Sequence, residues 1–572
     1  MRLCLLPMAV FPLALLMAAA CATAPPAPPP AEPPPPPPAA VTPAAFVQTQ
    51  VARLQPLVVA SHHAWWEAST TGTDQAFARQ KQTEDAVDRF YSDPALFEQV
   101  KAYRQDAQVT DLVVKRQFEV LYRSMLGKQV APELLEKITT LRAEVTQTFN
   151  TYRGKIDGKE VTQNEVMKAL RTSTDSQELQ AAWEAQKGVG ALVAPKLAEL
   201  AALRNQVAQR LGFRDFYALR IAENEQDETK VLALFDQLDA LTRDHFARHK
   251  SIVDQRLSKR LGIRTTDLMP WHYQNPFFQD PPAVFETGLD EVYKQQDTLA
   301  ICRSFFSSIG LETAAILDRS DLYEKQGKSP HAFCANMDRE GDVRVLANIV
   351  PGLQWQSTMV HELGHGVYES YVDSSLPWLL RTRTHAITTE GFAMMLDRLT
   401  ANPYWAEAVG AIDATKRDQA MDEARAYLAF APLQFSRWAQ VMLRFERAMY
   451  ADPKQDLNTL WWDLVQRYQS LRRPPGRNAP DYASKIHLVI VPVYYHNYML
   501  GDLFGAQLHE TLAALEHKDP VAAVYFGHPQ VGDFLKSKVF ASGALYRWDE
   551  LIVQATGKEL SAAAFARRFD KP

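Results

Sequence analysis

Glycine is scarce in this chain, at 24 of 572 residues. Long stretches are instead rich in Ala, Leu, Glu, Lys, Gln and Arg, all good helix formers. Cysteine is rarer still. Of four, Cys4 and Cys21 sit in the first 21 residues, so only Cys302 and Cys334 remain for the body. That excludes a disulfide framework. No internal repeat is present. The charge is nearly balanced, with 62 basic and 67 acidic residues and a net −5, which leaves no basic field for nucleic acid. The apolar run from Leu3 to Met17 is too short to span a membrane comfortably.

That run has a different use. Arg2, the apolar stretch and Ala18-Ala19-Ala20 before Cys21 read as a secretory signal over residues 1–20. Small residues directly before a cysteine resemble a bacterial lipoprotein signal, in which Cys21 becomes the lipidated first residue. A plain cleaved signal is the alternative. Residues 24–38 are almost entirely proline and alanine, so 21–43 reads as an extended tether that cannot pack a core. Ala22 after the cysteine suggests, again by resemblance to bacterial sorting patterns, the outer membrane facing the periplasm. The catalytic body is then 44–572, ample for a large core.

Within that body, His361-Glu362-Leu363-Gly364-His365 is the most informative pattern. On a helix its histidines share one face, so both imidazoles can reach one zinc ion, with Glu362 beside the hydrolytic water as general base. Pro351-Gly352 marks a helix start, and Leu353, Met359, Val360, Leu363 and Val367 form an apolar stripe. A catalytic zinc needs a third protein ligand. Glu390 lies 25 residues after His365, in Thr388-Thr389-Glu390-Gly391-Phe392-Ala393-Met394-Met395-Leu396. A threonine cap candidate, an acid in the first turn and an apolar run predict a buried helix starting here. An inward carboxylate there must be paired or bind metal. Glu369 is the nearer rival and reads as a supporting or solvated acid, so Glu390 is taken as the third ligand.

With these residues the chain resembles the angiotensin-converting-enzyme group, zinc dipeptidyl carboxypeptidases built as helical ellipsoids with two lobes around a deep groove. The resemblance extends to Ala202–Ala208 with Gly212–Tyr217, to Ser329-Pro330-His331-Ala332 with Gly341–Arg344, and to Trp461-Trp462 with Tyr468-Gln469 and Pro474-Pro475. Lys485-Ile486-His487, Pro492 and Tyr494-Tyr495-His496-Asn497-Tyr498 complete it. It implies one zinc per chain on His361, His365 and Glu390, with Glu362 as base. It implies that His487 and Tyr498 donate to the oxyanion, and that Lys485 with Tyr494 or Tyr495 holds the substrate's terminal carboxylate. His331 and the Ala332 backbone would align the peptide as an added strand. The implied partners are short unfolded peptides, and the implied state is a monomer.

Several positions depart from the family pattern. The tyrosine region carries one extra residue, and chloride-binding arginines would fall at His496 or Asn497 and at Val465, so chloride activation is not expected. Tyr273, in Trp271-His272-Tyr273, stands where the family has a carboxylate-binding glutamine. Met394 replaces an acid that supports a zinc histidine, a role Asp397 could take. Related helical oligopeptidases and carboxypeptidases share HExxH and a distant glutamate, and a non-catalytic peptide- or zinc-binding lipoprotein is the third reading. The fold expected is predominantly all-α, with at most a short sheet near 331–350.

Overall fold

The computed structural model describes residues 42–570. The signal, Cys21 and nearly all of the tether lie outside the described residues. Helices dominate, as expected, and the first begins at Pro43. Two short antiparallel hairpins accompany them: β1 (Gly154–Ile156) with β2 (Lys159–Val161), and β3 (Phe333–Asn336) with β4 (Val343–Leu346). The second lies where a sheet was expected. The first was not foreseen, and its cause is local: Asp157 and Gly158 both take positive φ, at 51° and 76°, the two-residue turn that Asp-Gly favours. Among the described residues no helix is long and apolar enough to cross a membrane.

A main apolar core runs from Val145 to Phe569 and includes Met359, Val360, Leu363 and Val367. The helices between Pro43 and Leu126 gather a second cluster around Phe46, Leu54, Phe118 and Met125, closed by Trp378 and Leu379. A small third cluster seats Trp65 and Trp66 of the first helix on Phe333, Ala335 and Leu346 of the β3–β4 hairpin.

Three helices position the site. The motif helix spans Leu353–Ser370, as its apolar stripe predicts. The Glu390 helix spans Ala386–Asp397 and packs on it. Its start corrects the expectation of a threonine cap: His385 is the cap residue, accepting from the Ile387 amide, and the helix begins four residues before Glu390. The tyrosine helix spans Tyr495–Leu515. It approaches the Glu390 helix backbone to backbone because glycines face each other there. A Cβ added at Gly391 would lie 2.4 Å from the Gly501 carbonyl oxygen, far inside van der Waals contact. Gly391→Ala should therefore push the two helices apart and cost about 1–3 kcal/mol, the usual cost of overpacking. A lower denaturation midpoint with reduced zinc retention checks it, and an unchanged midpoint would contradict the packing argument.

Candidate metal centre and active site

The motif spacing does what helical geometry requires. His361 and His365 face the same way, with their Nε2 atoms 3.1 Å apart. The Glu390 carboxylate completes the group, with Oε2 at 3.6 Å from His361 Nε2 and 3.8 Å from His365 Nε2. These three form a cluster of donor atoms that could hold one metal ion. Each imidazole is oriented from behind. His361 Nδ1 donates to Asp397 Oδ2 at 2.8 Å, and His365 Nδ1 lies 2.6 Å from the Thr389 hydroxyl. With Nδ1 engaged, Nε2 is the atom each ring offers to a metal.

The electrostatics fit a cation. Burial opposes charge on His361, yet Asp397, Glu362 and Glu390 together outweigh it and lift the ring to about 9. Burial, then His361, then Arg383 hold His365 well below the usual imidazole range, so it is neutral and ready to ligate. Two imidazole nitrogens and one carboxylate oxygen are the donors a catalytic zinc takes, with a fourth position left open. Glu369, the rival, points elsewhere: its buried carboxylate pairs with Arg383 and accepts from Asn336. Asp397 fills the supporting role that Met394 cannot. Asp397→Asn should keep the fold and lower zinc affinity about 10- to 100-fold, read by competition with a chromophoric chelator. Unchanged affinity would mean the hydrogen bond does not tune the ligand.

Glu362 sits beside this cluster, almost wholly buried. Burial is the main cause that lifts its carboxyl to about 7, with Glu390 and Asp397 adding to the lift against His361. The backbone of Cys334 in β3 donates to it, which ties the base to the strand. Among the described residues β3 pairs as a strand only with β4, and its Asn336 carbonyl oxygen lies 2.9 Å from His62 Nδ1 of the first helix. His331 is exposed and Ala332 half-buried in the segment leading into that strand.

The remaining expected residues form a row. Lys485 is buried, with Nζ 5.1 Å from the centre of the Phe277 ring and 5.3 Å from those of Trp438 and Tyr495. Tyr495 is 5.8 Å from Tyr498, and Tyr498 is 5.2 Å from Tyr494, centre to centre. Glu390 acts on both Tyr494 and Tyr498. Of the two adjacent tyrosines, it is therefore Tyr495 that stands beside Lys485, while Tyr494 lies towards the metal cluster. His487 packs on Tyr495 at 5.1 Å. Burial, helped by Lys485, lowers His487 to about 4 and keeps the ring neutral. The turn before the tyrosine helix is strained: Val493, a β-branched residue, has φ 56°. Its amide donates to the buried Glu446 carboxyl at 2.7 Å, which holds the turn.

Two residues of the site were not found in the sequence. Gln279 Oε1 accepts from Lys485 Nζ at 2.5 Å. Gln279 is thus a glutamine beside Lys485, where Tyr273 does not stand. That tyrosine instead bonds Asp254 and Lys250 away from Lys485. Thr389, read as a cap, is the hydroxyl behind His365. His496 and Asn497 are engaged by Gln226, and Val465 shares a small cavity with Trp183 and Lys187.

The family model described as angiotensin-converting enzyme, Peptidase_M2, matches residues 40–572. The chain belongs to the angiotensin-converting-enzyme family. Among its relatives, the mouse angiotensin-converting enzyme-like protein Ace3 is 24% identical over 457 residues, covering 71% of this chain and 59% of the relative. Rat angiotensin-converting enzyme is 22% identical over 447 residues, covering 71% of this chain and 33% of that protein. The mouse enzyme is 23% identical over 448 residues with the same coverages. The chain thus spans between a third and three fifths of the length of these curated relatives. Family membership and the donor set agree on zinc as the metal.

Proposed function

We propose that the chain is a zinc-dependent peptidase that removes dipeptides from the C-terminus of short, unfolded peptides. The observation that carries this reading is the buried Lys485, boxed by Phe277, Trp438 and Tyr495 and joined by the tyrosine row to Glu390. A buried ammonium whose hydrogen-bond partner is the neutral Gln279 amide still favours an anion, and a peptide's terminal carboxylate is such an anion. Fixing that end fixes the distance to the bond that is cut.

The side chains divide the work. When bound, zinc acidifies the attacking water and polarises the scissile carbonyl. Glu362 takes the proton of that water and later delivers it to the leaving amine. Its raised pKa, close to neutrality, suits both halves. Tyr498, kept protonated by burial and then Glu390, and neutral His487 are the candidate hydrogen-bond donors to the oxyanion. The segment leading into β3, at His331 and Ala332, offers the peptide an added strand. The protein acts as a monomer. The secretory signal with Cys21 supports a lipid-anchored placement on the periplasmic face of the outer membrane, and Cys21→Ala should then release the protein from membranes.

The test is mass spectrometry of products from a decapeptide with a free carboxylate and from its amidated twin, using the full zinc-loaded chain. Dipeptides from the free acid alone support the reading. Internal cuts in both peptides would make the protein an oligoendopeptidase and leave Lys485 as a packing residue.

A further inference from the structure

Gln469 ends the Trp461-Trp462 and Tyr468-Gln469 pattern, which the scheme above leaves without a role. It is the last residue of the helix Leu457–Gln469 and is 1% exposed. Its Nε2 donates to the carbonyls of Phe277 and Phe278, at 3.0 Å each. A second buried glutamine reaches the same turn from another side. Gln434, in the helix Ala414–Ala451, donates from Nε2 to the carbonyls of Phe278 at 3.0 Å and Asp280 at 2.7 Å. Trp183 Nε1 donates to the Pro276 carbonyl at 3.2 Å, and Asn275 Oδ1 accepts from the amides of Phe277 and Gln279 at 2.9 and 3.3 Å. The backbone of residues 276–280, which belongs to no helix or strand, is thus held mainly by side chains.

The conformation held in this way is strained. Phe278 has φ 49°, an outlier for a bulky residue, and such a backbone persists only where its surroundings over-determine it. Gln434 is committed to the turn at its own expense. Its buried Oε1 has no hydrogen-bond partner among the described residues, which is unfavourable for a buried amide. The turn carries two of the groups that surround Lys485. Gln279 Oε1 accepts from Lys485 Nζ at 2.5 Å, and the Phe277 ring centre lies 5.1 Å from that nitrogen. These two residues flank Phe278 in sequence. If Phe278 relaxed to a negative φ, the peptide units on both sides would turn and carry both groups away from the ammonium.

We propose that Gln434 and Gln469 are positioning residues. They hold the 276–280 turn in the strained form that keeps Gln279 and Phe277 on Lys485, and so they set the preference for a free chain end. The proposal rests on the carboxylate-anchor reading of Lys485. The experiment measures kcat and KM for a free-acid peptide and its amidated twin, using the full zinc-loaded chain, in Gln434→Leu, Gln469→Leu and the double variant. Each single variant leaves the Phe278 carbonyl one donor. KM for the free acid should rise about threefold in each, and about tenfold or more in the double variant, the size of one and of several lost hydrogen bonds. The kcat for the free acid and the KM for the amide should not change. Asn275→Ala loosens the same turn from a half-buried position without opening the core, and it should raise free-acid KM about threefold even where a leucine variant does not fold. An equal rise in KM for both peptides, or a fall in kcat without a split in KM, overturns the proposal and leaves the glutamines as supports of the fold. If the unaltered enzyme does not distinguish the two peptides, the anchor reading fails and this proposal fails with it. If it does distinguish them and every folded variant keeps the full difference, the anchor stands and only the proposal fails.

Discussion

Replacing Glu362 with glutamine should lower kcat by about 10²- to 10⁴-fold, the range that general acid–base catalysis supplies, while the chain still binds one zinc. The substitution is nearly isosteric. The amide can accept the hydrogen bond from the Cys334 backbone that positions the carboxylate, so the strand contact and the packing of a side chain only 8% exposed should persist. What is lost is the ability to take a proton and give it back. Glu362 is not one of the three converging donors, so metal content should not change. The measurements are kcat on a free-acid peptide and zinc per chain by elemental analysis. If both zinc and turnover are retained, the base lies elsewhere. If the unaltered protein has no turnover for the variant to lose, the non-catalytic lipoprotein reading gains.

The metal ligands were legible because their signal is local. Four-residue spacing, an apolar stripe and a glycine start fix both the helix and the shared face of His361 and His365. Glu390 was legible as an acid set in an apolar run that becomes a buried helix. What stands behind those ligands was only partly legible. Asp397 could be named because it sits on the same helix as Glu390, whereas Thr389 reads equally well as a cap, and only the packing of two helices turns its hydroxyl towards His365. Gln279 was missed for a similar reason. It lies 206 residues from Lys485 in sequence, and no periodicity within the 274–285 segment points it there. The β1–β2 hairpin is a different kind of omission. Its Asp157-Gly158 turn signal was in the sequence, flanked by strands of three residues each, too short for an alternation to register.

The carboxylate anchor makes the second large prediction. Lys485→Met should raise KM for free-acid peptides by about 30-fold or more, since stripping one partner from a buried charge pair costs about 2–5 kcal/mol, and should barely move KM for amidated peptides. The same residue gives a pH signature. Burial pulls the Lys485 ammonium down to about 8, against the raising influence of Asp280. The substrate's terminal carboxylate is ionised throughout this range. Below pH about 8 the free enzyme carries the cation and captures the carboxylate, and as pH rises through 8 the cation is lost. Because kcat/KM reports groups of the free enzyme, its value for free-acid peptides should fall about tenfold per pH unit beyond that point, through KM. Lys485→Arg keeps a charge that does not titrate here, so it should remove this alkaline limb even if its geometry lowers overall efficiency. An alkaline limb of the same position and slope in amidated peptides, or one that persists in Lys485→Arg, would show that the titrating group acts on catalysis rather than on the chain end. In that case the aromatic box around Lys485 would be a device of packing, and the register of cleavage would have to be set from the strand side, by β3.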